Sequence, residues 1–180
     1  MAMHDPTIAG AGQSFIAVLA HYIMGADYLR QLAAQEPFIV RDHRLLAEWV
    51  ARGKYPVGLS IESEAIEQMR EAGSPLLYVN ASEGTYVTTG TGFLSLPKNA
   101  PHPNSSAVFI NWLLSKEGQT AYANVSRLQS DREDMPTTNI DPLSMRQPGV
   151  KYVNTSNEEF WLKGPDYINL GKEIFGYLIK

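Results

Sequence analysis

The sequence predicts an α/β fold, and three observations carry that prediction. Short runs of β-forming residues alternate with amphipathic helical stretches from Phe38 to Val79, the breaks between them fall at Gly and Pro, and hydrophobic residues make up 44% of the chain. Strand, helix, strand, helix, strand in so short a span is the rhythm of right-handed crossovers in a parallel sheet.

Taken in order, Gly10 to Met24 places Phe15, Val18, Leu19, Tyr22 and Ile23 at three- and four-residue spacing, the apolar stripe of a packed helix that Gly25 ends. Ala26 to Gln35 reads as a second helix, with Tyr28, Leu29, Leu32 and Ala33 on one face and Pro37 as its stop. Phe38-Ile39-Val40 reads as a short buried strand. Asp42 is placed to cap a helix carrying Leu45, Leu46, Trp49 and Val50, and Gly53 stands where a left-handed terminal residue is wanted. Val57 to Ile61 reads as the next strand. Ser63 is then expected to cap a helix in which Glu64, Glu67 and Glu71 oppose Ile66 and Met69, and Gly73-Ser74-Pro75 breaks it before a strand over Leu76 to Val79.

Beyond residue 80 the texture changes. Thr85 to Leu96 is rich in Thr and Gly, Pro97 to Pro103 is a loop, and a helix starting at Asn104 or Ser105 carries Val108, Phe109, Trp112 and Leu113 on one apolar stripe through Leu114. Ser115 to Asn124 reads as another helical segment. Arg127 to Tyr152, with Pro136, Pro142 and Pro148, reads as a surface excursion, and Pro165 to Ile179 as an amphipathic terminal helix.

Composition excludes several function classes. The 180 residues hold 15 Lys+Arg against 19 Asp+Glu, a formal charge of −4 spread without a basic run, so nucleic acid is not an expected partner. With no cysteine there is no disulfide, thiolate metal site or cysteine nucleophile. The longest apolar stretch, Phe15 to Met24, is interrupted by His21 and is far shorter than the roughly 20 residues of a spanning helix. Met1 to Pro6 has neither a basic nor an apolar region of a secretion signal.

Chemistry-bearing motifs are few. His4, His21, His43 and His102 are scattered with no metal-binding spacing, no GxSxG occurs, and the acidic pairs Glu62/Glu64 and Glu158/Glu159 read as solvated helix-terminal charges. The loop Gly10-Ala11-Gly12-Gln13-Ser14-Phe15 runs directly into a strong helix. Its unpaired N–H groups and the Gln13 and Ser14 side chains suit an anion, and a glycine-rich helix start without a ligand is the equal alternative.

Leu96-Pro97-Lys98-Asn99-Ala100-Pro101-His102-Pro103-Asn104, continued by Phe109 to Gln119, resembles the bacterial ABC-transporter solute-binding proteins of the ferric-iron-like group. The likeness extends to Leu46 to Val57, to Asp5-Pro6 followed by Gly10 and Gly12, and to Ser130 to Pro136. It implies one lobe of a type 2 periplasmic-binding-protein fold plus part of the second lobe and a helical carboxyl-terminal tail. Residues 5–82 would form the carboxyl-terminal lobe, 83–125 a crossover strand and helices of the first lobe, and 126–180 the proline-rich excursion and terminal helix. Such proteins are usually nearly twice as long, so the sequence is expected to be the carboxyl-terminal portion of one.

The implied function is capture of a small polar or anionic solute in an interlobe cleft and its delivery to a membrane permease in the periplasm, with no catalytic residue and no cofactor. Ligand-binding residues implied by the resemblance are Gly12, Gln13 and Ser14 at the first helix, Ser60 and Glu62 after a strand, and Glu83, Gly84 and Thr85 at the crossover. Ferric-binding members carry two adjacent tyrosines where this sequence has Glu62-Ser63, so an organic solute is expected in place of iron. The Phe109/Trp112/Leu113 stripe would face a missing lobe, which predicts exchange of that face with a second copy, or its cover by the chain's own tail. Two other classes compete: an enzyme using Glu62 or Glu83 as a base, and a ligand-sensing regulatory domain of the same fold.

Overall fold

The computed structural model describes residues 1–86, 94–130, 132–138, 140–142 and 145–179. Two compact units divide the chain: Met1–Val87 with Gln147–Lys180, and Thr88–Arg146.

The first unit is built on a three-stranded parallel sheet of order β2-β1-β3, with β1 Ala2–His4, β2 Phe38–Val40 and β3 Gly58–Leu59. Met3 pairs with Ile39 on one side and Leu59 on the other, so these three side chains share a face. That face meets α1 (Ala11–Val18, continued by a π-helical turn over Leu19–Ile23), α2 (Ala26–Ala33) and α8 (Gly164–Phe175) through Ile16, Leu29, Leu32, Ala33, Ile174 and Phe175. The alternate residues face α3 (His43–Ala51): His4 stacks on His43, and Phe38 meets Trp49 edge-on. Helices thus cover both faces of an α/β sheet, as parallel strands require.

Several local expectations hold for the stated reasons. The Asp42 carboxylate accepts from the Leu45 N–H at 2.9 Å and starts α3, while Gly53 takes φ 72 just after it. Met24 and Gly25 both donate to the Leu19 carbonyl, and Gly25 at φ 85 ends the first helix.

Other expectations are corrected. The central strand β1 was not anticipated, because its three residues are too few to show a period and include a histidine. Phe38 is not buried. It is 47% exposed, on a sheet edge where Trp49, Tyr55 and the Lys54 ammonium, 3.8 Å from the Trp49 ring centre, cover it in part. The strand at Val57 to Ile61 shrinks to Gly58–Leu59, because Ser60 turns to φ 55 and leaves the ladder. Helix α4 (Ser63–Glu71) is preceded by Glu62 in the capping position, not Ser63, and no side chain caps it. Leu76 to Val79 joins neither sheet among the described residues, and Leu77 and Val79 point into solvent. On α1 the buried face rotates from the Phe15/Tyr22 stripe toward Gly12, Gln13, Ile16 and Ala17, because the sheet and α8 both press on that side.

A second, two-stranded parallel pair joins β4 (Thr85–Tyr86) to β5 (Tyr152–Val153), and most of the Thr- and Gly-rich run after Thr85 lies outside the described residues. Val153 and Tyr86 pack with Ala17, Val18, Phe160 of α7 (Glu158–Leu162) and Tyr167 of α8 in a second apolar cluster. Helix α8 sits close on the chain after β1: a Cβ on Gly171 would collide with the Pro6 carbonyl.

The second unit holds α5 (Pro103–Leu113) and α6 (Lys116–Ser126), paired at a tight corner that Ser115 caps through the Gly118 N–H. The buried Gln119 ties this corner, its amide donating to the Leu113 carbonyl at 2.9 Å and accepting from Ser130 at 2.7 Å. On α5, Leu113 is buried, but Val108, Phe109 and Trp112 are 70%, 55% and 41% exposed, a large apolar face in water.

Candidate functional site

Parallel strands end in loops at one edge of the sheet, and ligands of open α/β sheets bind at that carboxyl edge. Here the residues following the three strands converge with the start of α1. His4 ends β1, and Asp5 and Thr7 follow it; Arg41, Asp42 and, as the first residue of α3, His43 follow β2; Ser60 and Glu62 follow β3.

Asp5 is fully buried, yet ionised. Burial alone would raise its pKa, but hydrogen bonds from the Thr7 hydroxyl (2.7 Å), the Arg41 guanidinium (2.9 Å) and the Thr7 N–H (2.8 Å) outweigh it and hold the carboxyl below its ordinary value. Arg41 itself keeps a side chain 66% exposed.

The two histidines lie face to face, 3.6 Å between ring centres and 8° from parallel. His4 Nδ1 accepts from the Gly12 N–H at 3.3 Å, so Nε2 carries the proton and donates to the Arg41 carbonyl at 3.1 Å. This neutral tautomer ties the start of α1 to the end of β2 through the middle strand. His43 Nε2 lies 3.2 Å from Glu62 Oε1, and since a carboxylate only accepts, Nε2 bears the proton there too. Burial, followed by the neighbouring His4, pushes the His43 pKa down to about 4, against the raising effect of Asp42. The contact with Glu62 is therefore a hydrogen bond from a neutral ring, and His43 Nδ1 is buried without a hydrogen-bond partner among the described residues.

Of the residues implied by the resemblance, Gly12, Gln13, Ser14, Ser60 and Glu62 belong to this side of the unit. The Gly12 N–H is spent on His4, the Ser14 N–H on the Gly10 carbonyl, and the buried Gln13 amide on the Gly164 carbonyl at 3.0 Å. Gly12 is required by space, because a Cβ there would lie 2.5 Å from the Asp5 carbonyl oxygen and 2.6 Å from that of His4. Ser60 donates to the Leu59 carbonyl, and Glu62 is half exposed.

Glu83, Gly84 and Thr85 lie elsewhere: Gly84 sits beside Ile23, at the opposite end of the first helix from Gly12, and the Thr85 N–H donates to Lys151. Tyr86, two residues past Gly84, reaches back to donate to the Ala11 carbonyl at 3.3 Å. Sequence reasoning missed Asp5, Arg41 and the His4–His43 stack. The only available signal was the position of Arg41-Asp42-His43 directly after a strand.

The model of one family, described as bacterial extracellular solute-binding protein, matches residues 1–124, well over half of the chain. The chain belongs to that family. Searches of curated proteins and of solved structures give no significant match. As a bacterial extracellular solute-binding protein it has a transport-associated, solute-binding role, and its α/β unit with small parallel sheets accords with a periplasmic-binding-protein-like fold. Family membership accords equally with a non-enzymatic role, and among the described residues no group of three or more His, Asp or Glu is placed to hold a metal. Among the same residues, no helix is long and apolar enough to cross a membrane.

Proposed function

We propose that this protein captures a small polar or anionic solute at the carboxyl edge of the β2-β1-β3 sheet and delivers it to an ABC permease in the periplasm. The observation that carries the reading is the convergence, on that edge, of a half-exposed carboxylate, an exposed guanidinium and a helix start, each tied by internal hydrogen bonds. In this reading residues 5–82 contribute the carboxyl-terminal lobe, and Ser60, Glu62 and the Gly12-Gln13-Ser14 start of α1 border the solute. Glu83, Gly84 and Thr85, at the crossover between lobes, complete the set of solute-binding residues in this reading.

Glu62 in place of a phenolate favours an organic solute over ferric iron. Thermal-shift screening against amino acids, polyamines, sugar phosphates and metal chelates, with hits confirmed by calorimetry, tests this. A saturable rise in melting temperature that weakens when Glu62 or Arg41 is replaced is the expected result. Chemical conversion of a bound compound by the purified chain would overturn it.

A further inference from the structure

Three aromatic rings gather at the amino edge of the β2-β1-β3 sheet, at the opposite strand ends from the candidate site. Phe38 opens β2, Trp49 belongs to α3, and Tyr55 stands just before β3. The Phe38 and Trp49 centres lie 5.3 Å apart, and Tyr55 lies 5.8 Å from each of them. The Lys54 ammonium sits over this group, 3.8 Å from the Trp49 centre, 5.6 Å from Tyr55 and 6.0 Å from Phe38, within the range at which a cation is drawn to a ring face.

The backbone sets that position. As α3 ends, the Gly53 N–H donates to the Val50 carbonyl at 3.0 Å and the Lys54 N–H to the Trp49 carbonyl at 2.8 Å, a left-handed exit that lays the Lys54 chain across the Trp49 ring. Among the described residues the ammonium has no hydrogen bond and no ion pair, and Glu48, the carboxylate next to Trp49 in the sequence, is engaged by Arg52. The rings alone hold this cation.

A face that offers π electrons and no acceptor discriminates among cations. A primary ammonium gives up hydrogen bonds to water there and regains none, whereas a quaternary ammonium has no N–H to satisfy and buries its methyl groups on the same rings. Phe38 is still 47% exposed, and Lys54 is exposed on a flexible four-carbon stem that swings aside at little cost. We propose that Phe38, Trp49 and Tyr55 form a second binding site, independent of the solute edge, that takes a small quaternary ammonium, and that Lys54 is its tethered occupant.

The test follows the indole N–H signals of the ¹⁵N-labelled full chain, with the Trp49 signal assigned by its loss in Trp49→Phe. Choline and tetramethylammonium are titrated at constant ionic strength beside 3,3-dimethylbutanol, the uncharged isostere of choline, and glucose. Choline and tetramethylammonium are expected to move the Trp49 signal saturably, with a dissociation constant on the order of millimolar, and to leave Trp112 and Trp161 in place. Lys54→Ala removes the competing occupant and should tighten binding by roughly two- to fivefold. An absent or non-saturable response in both the parent and Lys54→Ala overturns the site. An equal response to 3,3-dimethylbutanol, or a response to glucose in place of choline, overturns its assignment to a cation. Unchanged affinity in Lys54→Ala overturns the role of Lys54. None of these outcomes touches solute binding at the carboxyl edge.

Discussion

Replacing Gly12 with alanine puts a methyl carbon 2.5 Å from the Asp5 carbonyl oxygen, 2.6 Å from that of His4 and 2.7 Å from the Asp5 carbonyl carbon. Ordinary carbon-to-oxygen contacts lie at about 3.3 Å or more, so α1 must move away from the end of β1 by roughly 0.8 Å, and all three obstacles are backbone. Overpacking of this kind costs about 1–3 kcal/mol, and the rigid neighbours place Gly12 toward the upper end. Against it stands the helix preference of alanine over glycine, about 1 kcal/mol. A net loss of about 2 kcal/mol follows, which for a chain of this size lowers the melting midpoint by about 4–8 °C.

Gly176→Ala is the matched control. It has φ −55 and nothing within 4 Å of the new methyl, so the same substitution should be neutral or raise the midpoint slightly. Circular dichroism melts of both variants beside the parent chain decide the matter. A Gly12→Ala midpoint equal to or above the parent's would refute the close approach of α1 to β1, and with it the packing that orients His4 and Asp5.

Further outcomes follow from the same edge and from α5. His43 titrates at about 4 in the folded chain against an ordinary 6.5, so the unfolded chain takes up the proton first. Its contribution is complete above pH 6.5 and is lost as pH falls through 4, by at most about 3 kcal/mol. Urea titrations from pH 7 to 4 should show this slope, and His43→Asn should flatten it. Asp5→Ala removes the acceptor of both Thr7 donors and the partner of Arg41, and should cost about 2–4 kcal/mol in the same assay. Asp42→Ala deletes the cap on Leu45 and should cost about 1 kcal/mol, without changing the pH slope as strongly as His43→Asn. On α5, Val108→Lys with Phe109→Ser should lower binding of an apolar-surface dye and abolish any self-association seen by light scattering; unchanged dye binding would place the sticky surface elsewhere.

How legible all this was in the sequence depends on whether the deciding contact was local. Helix α3 could be read because its cap, Asp42 to Leu45, and its left-handed exit, Gly53, lie within its own length. Strand β1 could not, since three residues with a histidine have no period, and their burial comes from partners 36 and 56 positions away, at Phe38 and Gly58. Leu76 to Val79 shows the converse: high β propensity, yet no neighbouring strand among the described residues to satisfy it. At the candidate site the glycine-rich helix start was legible, but the N–H groups of Gly12 and Ser14 turned out to have internal acceptors. The Asp5–Arg41 pair spans 36 residues and left no trace in spacing.

The packing of α8 over the β1 side of the sheet bears on the order in which the chain acquires its structure. Met3, Ile16, Leu29 and Leu32 gather early in the sequence, but Ile174 and Phe175 complete their cover from more than a hundred positions later. During vectorial synthesis that nascent cluster stays wet until the last helix emerges, so ribosome-bound intermediates lacking residues 164–175 should engage holdase chaperones.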